Sequence, residues 1–236
     1  MSDTRAARPG SPGRSPAPAD LADGIGRRVA AHRGRRGLRV AEFAREIGVS
    51  PSLISQIERG QARPSVSTLF AMAQALDVPV DAFFREQEPD GAAGPAHPRQ
   101  PAPGPAKRTE TGDGEHRYVV RRGSRPAIDI EGGVRWERLT PQTLPHLDFM
   151  QLVYAPHAQS NPSLYTHPGT EMVLVTTGIL DITVGFERYR LEAGDSMHFP
   201  SSMPHQYVNP TDETTRAVTV ILYDCPGEPG TTGSST

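Results

Sequence analysis

Tyr165, His167 and Glu171 share the segment Leu164–Val175, LYTHPGTEMVLV, which is otherwise apolar and rich in β-branched residues. An imidazole and a carboxylate four residues apart can belong to an iron-enzyme centre or line a sensor pocket. They can also be nothing more than polar groups on a strand. Residues an even number apart on an extended chain face the same way. The three side chains therefore project to one side, provided that Pro168 and Gly169 bend the strand without shifting its register. Tyr165 stands two residues before the histidine, where one more ligand makes geometric sense. A second run, GDSMHFPSSMPHQYVN, carries Gly194, Pro200, His205 and Asn209.

The elements around these runs alternate on a period of two, with turns every 8–12 residues: RYVV, GVRWERL, DFMQLVY, TEMVLVTTG, ILDITVG, RYRLEAGD, SMHFP, HQYVNP and RAVTVILYD. No helix-length periodic run interrupts them, which is the pattern of a small β-barrel or sandwich. Upstream, the period changes to 3.6. Ile25, Val29, Ala30 and His32 begin a helix, and VAEFAREIG is a second that stops at Gly48. SPSLISQIERG is a third, with Ser50 as N-cap, Pro51 at the tolerated first position and Gly60 as its end. SVSTLFAMAQALDV follows with Ser65 or Ser67 as cap, and PVDAFF supplies a final apolar turn.

Composition separates these two blocks. Residues 1–20, 86–116 and 226–236 are dominated by Pro, Gly, Ser, Ala and other small or polar side chains and are too poor in apolar groups to fold. Residues 21–85 hold ten Arg against six acidic residues, and residues 117–236 hold nine Arg against thirteen. The basic surplus of the first block points to a polyanionic partner for that block alone. Cys225 is the only cysteine, which fits a reducing interior. No run approaches the roughly 18 apolar residues of a membrane span, and the N-terminus lacks the apolar core of a secretory signal. These features predict a cytoplasmic protein with no membrane association.

GLRVAEFAREIGVSPSLISQIERGQARPSVSTLFAMAQALDVPVDAFF resembles the DNA-binding domain of the XRE (lambda-repressor-like) regulators, over Ile25 to about Phe84. The resemblance implies a five-helix domain whose third helix enters the major groove. Leu53, Ile54 and Ile57 form the inward stripe of that helix, leaving Ser52, Ser55, Gln56 and Arg59 outward. Gln56 suits bidentate pairing with adenine. Arg39, Ser50, Arg59, Arg63 and the amides around Ser65 suit phosphate. Arg39 stands where the family has a Ser or Thr cap, so the second helix is expected to start less firmly.

The two polar runs together resemble the cupin superfamily, over about Arg117 to Asp224. His167, Glu171 and Gly178 fit the second half of its first motif, and Gly194, Pro200, His205 and Asn209 fit its second. Tyr165 replaces the first motif's leading histidine, and Ser202 replaces a glycine of the second. What the resemblance implies is a jelly-roll barrel with a central pocket. His167, Glu171 and His205 would make a two-His-one-carboxylate set suited to a divalent Fe, Zn, Mn or Ni ion, with Tyr165 as a fourth ligand or a hydrogen-bonding group. Trp136, Tyr154 and Tyr165 are candidates to line an effector pocket.

The expected fold class is multidomain α plus β. A five-helix domain (21–85) and a cupin barrel (117–225) are joined by a Pro/Gly linker (86–116) and flanked by tails (1–20 and 226–236). The expected function is a transcriptional regulator, not an enzyme, that binds double-stranded operator DNA as a homodimer on an inverted repeat and senses a small molecule or metal. With so flexible a linker, coupling through dimerisation is expected. No residue is assigned a catalytic role. The rival reading is a non-haem iron oxygenase or epoxidase of the same two-domain layout, using His167, Glu171 and His205. An epoxidase of that kind uses a lysine from its helical domain, and residues 21–85 contain none.

Overall fold

The computed structural model describes residues 18–84, 118–144 and 146–223. The expected linker, the C-terminal tail with Cys225 and residues 1–17 lie outside this set. Helix α1 spans Pro18–Arg35, so it opens three residues inside the segment expected as a tail. It is followed by α2 (Val40–Glu46), α3 (Pro51–Glu58), α4 (Val66–Leu76) and a 3-10 turn at Val80–Phe84.

Local chemistry sets these boundaries. Ser50 Oγ accepts the Leu53 N–H at 3.2 Å, Pro51 occupies the first turn of α3, and Gly48 and Gly60 take positive φ at the two helix ends. Ser65 caps α4 in the same way. At α2 the carboxylate of Glu42 reaches back to the Arg39 N–H at 3.0 Å and pairs with its guanidinium. An acid at the third helical position thus supplies the cap that Arg39 cannot. Gly26 is where α1 crosses α3. A Cβ there would lie 2.2 Å from the Ile57 carbonyl oxygen, so only hydrogen fits. Arg33 and Glu58 clamp the same pair of helices with two contacts of 2.6 and 3.0 Å.

Among the described residues the second block forms nine strands: β1 (Ala127–Ile130), β2 (Val134–Arg138), β3 (Leu147–Tyr154), β4 (Thr170–Thr177), β5 (Ile179–Val184), β6 (Glu187–Glu192), β7 (Ser196–Pro200), β8 (His205–Val208) and β9 (Thr215–Leu222). All described pairings are antiparallel, in a sheet ordered β1-β2-β3-β9-β4-β7 facing a smaller one ordered β6-β5-β8. Burial alternates strictly along β3 and along most of β9, as expected for strands with one face in a core. RYVV is not a strand: its described residues, 118–120, are irregular and lead to a 3-10 turn at Arg122–Ser124, while AIDI forms β1 instead.

The helical block does not stand apart from the barrel. Helix α4 is buried on nearly every side, and one continuous apolar core runs through both blocks. Phe70 of α4 packs among Trp136, Tyr165 and His167. Asp81 and Arg138 form a buried ion pair at 3.3 Å across the seam. Ser67 donates to Asn161 at 2.9 Å, and the Glu131 N–H donates to the Pro64 carbonyl at 3.0 Å. Beside the coupling through dimerisation expected from the linker, the two blocks thus have a direct contact.

Candidate metal centre and nucleic-acid interface

Two strands and a loop bring the candidate ligands together. Glu171 lies on β4, opposite Phe199 of β7 and Ile221 of β9. His205 opens β8. His167 precedes β4 and is not on it: Gly169, with φ +104° and the Leu222 carbonyl oxygen 2.3 Å from where a Cβ would be, breaks the strand. Tyr165 enters by another route, exchanging both backbone hydrogen bonds with His205 at 3.0 and 2.9 Å. The expected single strand carrying Tyr165, His167 and Glu171 is therefore a bent loop and a strand, yet all three side chains are buried.

Tautomers decide what this cluster wants. His167 Nδ1 lies 3.1 Å from the Pro168 carbonyl, and His205 Nδ1 lies 2.8 Å from that of Met203. A carbonyl only accepts, so both Nδ1 atoms carry a proton, and in the neutral rings both Nε2 atoms present lone pairs. Thr219 donates to Glu171 Oε1 at 3.0 Å, which turns Oε2 toward the imidazoles. Oε2 lies 3.3 Å from His167 Nε2 and 3.7 Å from His205 Nε2. None of these three buried atoms has a hydrogen-bond partner among the described residues. Three acceptors facing one another are costly in a protein interior, and the Tyr207 hydroxyl, which approaches Glu171, can satisfy only one of them. Donors about 2.0–2.2 Å from a shared ion stand roughly 3–4 Å apart, so the donor set fits a divalent metal.

Aromatic rings enclose the cluster. Tyr165 lies against His205 at 4.4 Å, Phe199 at 5.1 Å, and Phe70 stacks on His167 at 3.8 Å with only 7° between the planes. Exposure of His167, Glu171 and His205 is 5, 3 and 0%. Burial raises the carboxyl of Glu171, but the close approach of His167, the charge that His167 and His205 carry when protonated, and the Tyr207 hydroxyl outweigh it and leave it below the ordinary range. Burial lowers His205, with Glu171 opposing, and it holds the Tyr165 phenol protonated well above its usual range.

On α3, Ile54 and Ile57 are buried and Leu53 is half-buried, while Ser52, Gln56 and Arg59 are exposed and Ser55 is partly so. Arg59 is held by Gln61 at 3.1 Å. The Ser50 hydroxyl is occupied as a cap, and Arg39 is paired with Glu42. Arg63 and Ser65 belong to the stretch docked on the barrel, Arg63 lying 3.9 Å from Asp129, and are not on the open face of α3.

A helix-turn-helix model matches residues 29–83 and a cupin-domain model matches residues 150–221. YazB of Bacillus subtilis (strain 168), an uncharacterized HTH-type transcriptional regulator, is 36% identical over 56 residues, covering 24% of this chain and 81% of YazB. The chain belongs to the helix-turn-helix transcriptional regulators with a cupin domain. The HTH-type transcriptional regulator SutR of Escherichia coli (strain K12) is 25% identical over 191 residues, 81% of this chain and 90% of SutR. The solved structure of an HTH_3 family transcriptional regulator from Vibrio cholerae has the same fold, with a TM-score of 0.58 at 20% identity, covering 88% of this chain and 99% of that one.

In this regulator, Trp136 and Tyr154 pack into the core, Trp136 against Phe70 and Tyr154 against Tyr207. Asn209 staples a loop, donating to the Ala155 and Glu213 carbonyls at 2.9 and 2.7 Å. His198 points outward on β7. Sequence reasoning missed Phe70, Phe199, Tyr207 and Thr219 at the cluster. Alternation could have found Tyr207, two residues beyond His205 on the same face. Nothing local marks Phe70.

It also missed Asp148, buried on the inner face of β3 and accepting a hydrogen bond from the Tyr223 hydroxyl at 2.7 Å. Burial, aided by the charge of Asp81, raises its carboxyl to about 6, against the opposing pull of Tyr223 and His167. Because the folded value lies above the ordinary 3.8, the contribution of Asp148 is fully present below about pH 4 and is lost as pH rises through 6. The loss amounts to about 3 kcal/mol. Asp148→Asn, which stays neutral and still accepts from Tyr223, should gain about 1–3 kcal/mol over wild type at pH 7.5 and nothing at pH 4. Urea unfolding at the two pH values checks this, and an equal gain at both would contradict it.

Proposed function

We propose that this regulator binds operator DNA as a homodimer on an inverted repeat through the open face of α3, and that its cupin domain carries a first-row divalent metal on His167, Glu171 and His205. The observation that carries the metal is the convergence of three buried acceptor atoms with one phenol, Tyr207, as the donor near them. A bound ion would supply positive charge to satisfy them. The chain's own part is to fix both tautomers through backbone carbonyls, to orient Glu171 through Thr219, and to exclude water with Phe70, Phe199 and Tyr165. Tyr165, a buried phenol lying on His205, acts in this reading as a cover and not as a fourth ligand. Wherever Phe70 contacts His167, whatever His167 holds bears on α4 and so on the reading head.

Ser52 in the first turn of α3 and Gln56 one turn further on, both exposed, are assigned to base edges, and Arg59 with Arg39 to phosphates. The turnover reading has less support, because little solvent reaches the three ligands and a phenyl ring covers one of them. No described helix is long and apolar enough to cross a membrane.

Binding to DNA from upstream of the regulator's own gene is expected to weaken steeply with salt. Gln56→Ala should cost roughly 1–3 kcal/mol on the preferred site, and Arg59→Ala should reduce the salt slope by about one. Footprinting and anisotropy titration over a salt series measure all three. Salt-insensitive binding, or Gln56→Ala indistinguishable from wild type, would remove the assignment.

A further inference from the structure

A cavity of about 510 Å³ lies between the two domains. Phe70, Ala73, Asp77 and Val80 wall it on the helical side, and Leu144 and Tyr223 on the barrel side. We infer that this cavity is the regulator's effector site and that it takes a small organic cation, an apolar body bearing a protonated amine.

Space comes first. The barrel centre is filled by tyrosines, phenylalanine and the ligand cluster, whose exposure does not exceed 5%, so it holds an ion but no organic molecule. The interdomain cavity has the volume of an ordinary small-molecule site. Its lining is mostly apolar, and no arginine or lysine is part of it. The carboxylate at its rim, Asp77, makes no ion pair among the described residues. Tyr223 brings a second acid close, since its hydroxyl is donated to Asp148. An ammonium group would find the carboxylate of Asp77, whereas an anion would meet that carboxylate with only the His146 imidazole to set against it.

The position gives the site its effect. A ligand touching both walls favours the docked arrangement of the two domains, by as much as its affinity differs between docked and undocked forms. The innermost wall, Phe70, is the ring stacked on His167, so cavity and metal centre share one side chain. Naming the occupant an effector rests on the regulator reading above. The binding itself is measurable without DNA.

Trp136 is the only tryptophan in the chain, and its ring lies edge-on to Phe70 at 5.8 Å, so its emission reports on this wall. The full-length protein is titrated with 2-phenylethylamine, followed by Trp136 emission and by calorimetry, with phenylacetate as the same body of opposite charge. Saturable amine binding is expected, with phenylacetate at least tenfold weaker. Asp77→Asn should weaken the amine about tenfold, and asparagine tolerates the left-handed backbone at that position (φ +54°). Gln74→Phe, at an exposed residue of α4 that borders the cavity, fills it and should abolish binding while the protein stays folded. No saturable binding, equal binding of phenylacetate, or wild-type affinity in Gln74→Phe would each overturn the inference. A protein that binds the amine but no DNA would sink the regulator reading and leave the site standing.

Discussion

Phe70→Ala should destabilise the full-length protein by about 3–5 kcal/mol, the usual cost of removing a buried phenyl ring, and most of that loss should appear as undocking. Phe70 is 7% exposed, and the described rings around it, Trp136, Tyr165 and His167, all belong to the barrel. Its removal therefore opens a hole in the seam and spares the packing of Phe43, Ile54 and Ile57 that holds α2 and α3. Two unfolding transitions should replace one, and Trp136 emission should move to the red as its edge contact is lost. Phe70→Leu, which keeps apolar volume but not the flat stack, should fall between. A single transition with unchanged Trp136 emission in Phe70→Ala would show that the seam is held elsewhere, with Asp81 and Arg138 as the next pair to test.

That seam is also where the sequence is least legible. The helix-turn-helix could be read because its signals are local: Ser50 caps α3 and glycines end α2 and α3, all within a few residues of what they control. The barrel could be read from alternation and from the spacing of Gly194, Pro200, His205 and Asn209, which turn geometry fixes. Local alternation failed where no partner strand confirmed it, so RYVV read as a strand and AIDI did not. Tyr165 reached the cluster through its pairing with His205, forty residues away, and not along its own strand. Phe70 and His167 meet across 97 positions, and a phenylalanine on α4 looks like any other core residue. Only the all-round apolarity of VSTLFAMAQAL hinted that α4 has a second face to bury. Arg63 and Ser65, assigned to phosphate from sequence, lie on that same docked stretch.

Glu171→Gln distinguishes a metal centre from a polar cluster by the sign of its effect. If the cluster is built around a cation, the metal-free wild type holds three opposed acceptors, Glu171 Oε2 and the Nε2 atoms of His167 and His205. Glutamine places an N–H₂ donor where Oε2 stands and keeps the acceptor that Thr219 uses. The metal-free variant should then be more stable than wild type by about 1–3 kcal/mol, the penalty of an unsatisfied buried group. Wild type should gain about 2.7 kcal/mol from Zn(II) or Co(II) at a hundredfold excess over its Kd, and the variant should gain nothing. His167→Ala should lose the metal gain as well. If Glu171 instead pairs with a protonated imidazole and no metal belongs there, removing its charge strands a buried cation. Glu171→Gln would then be less stable by about 3–5 kcal/mol, and metal would change neither protein. Thermal unfolding with and without the metal, beside a chelator-treated control, reads both signs in one series.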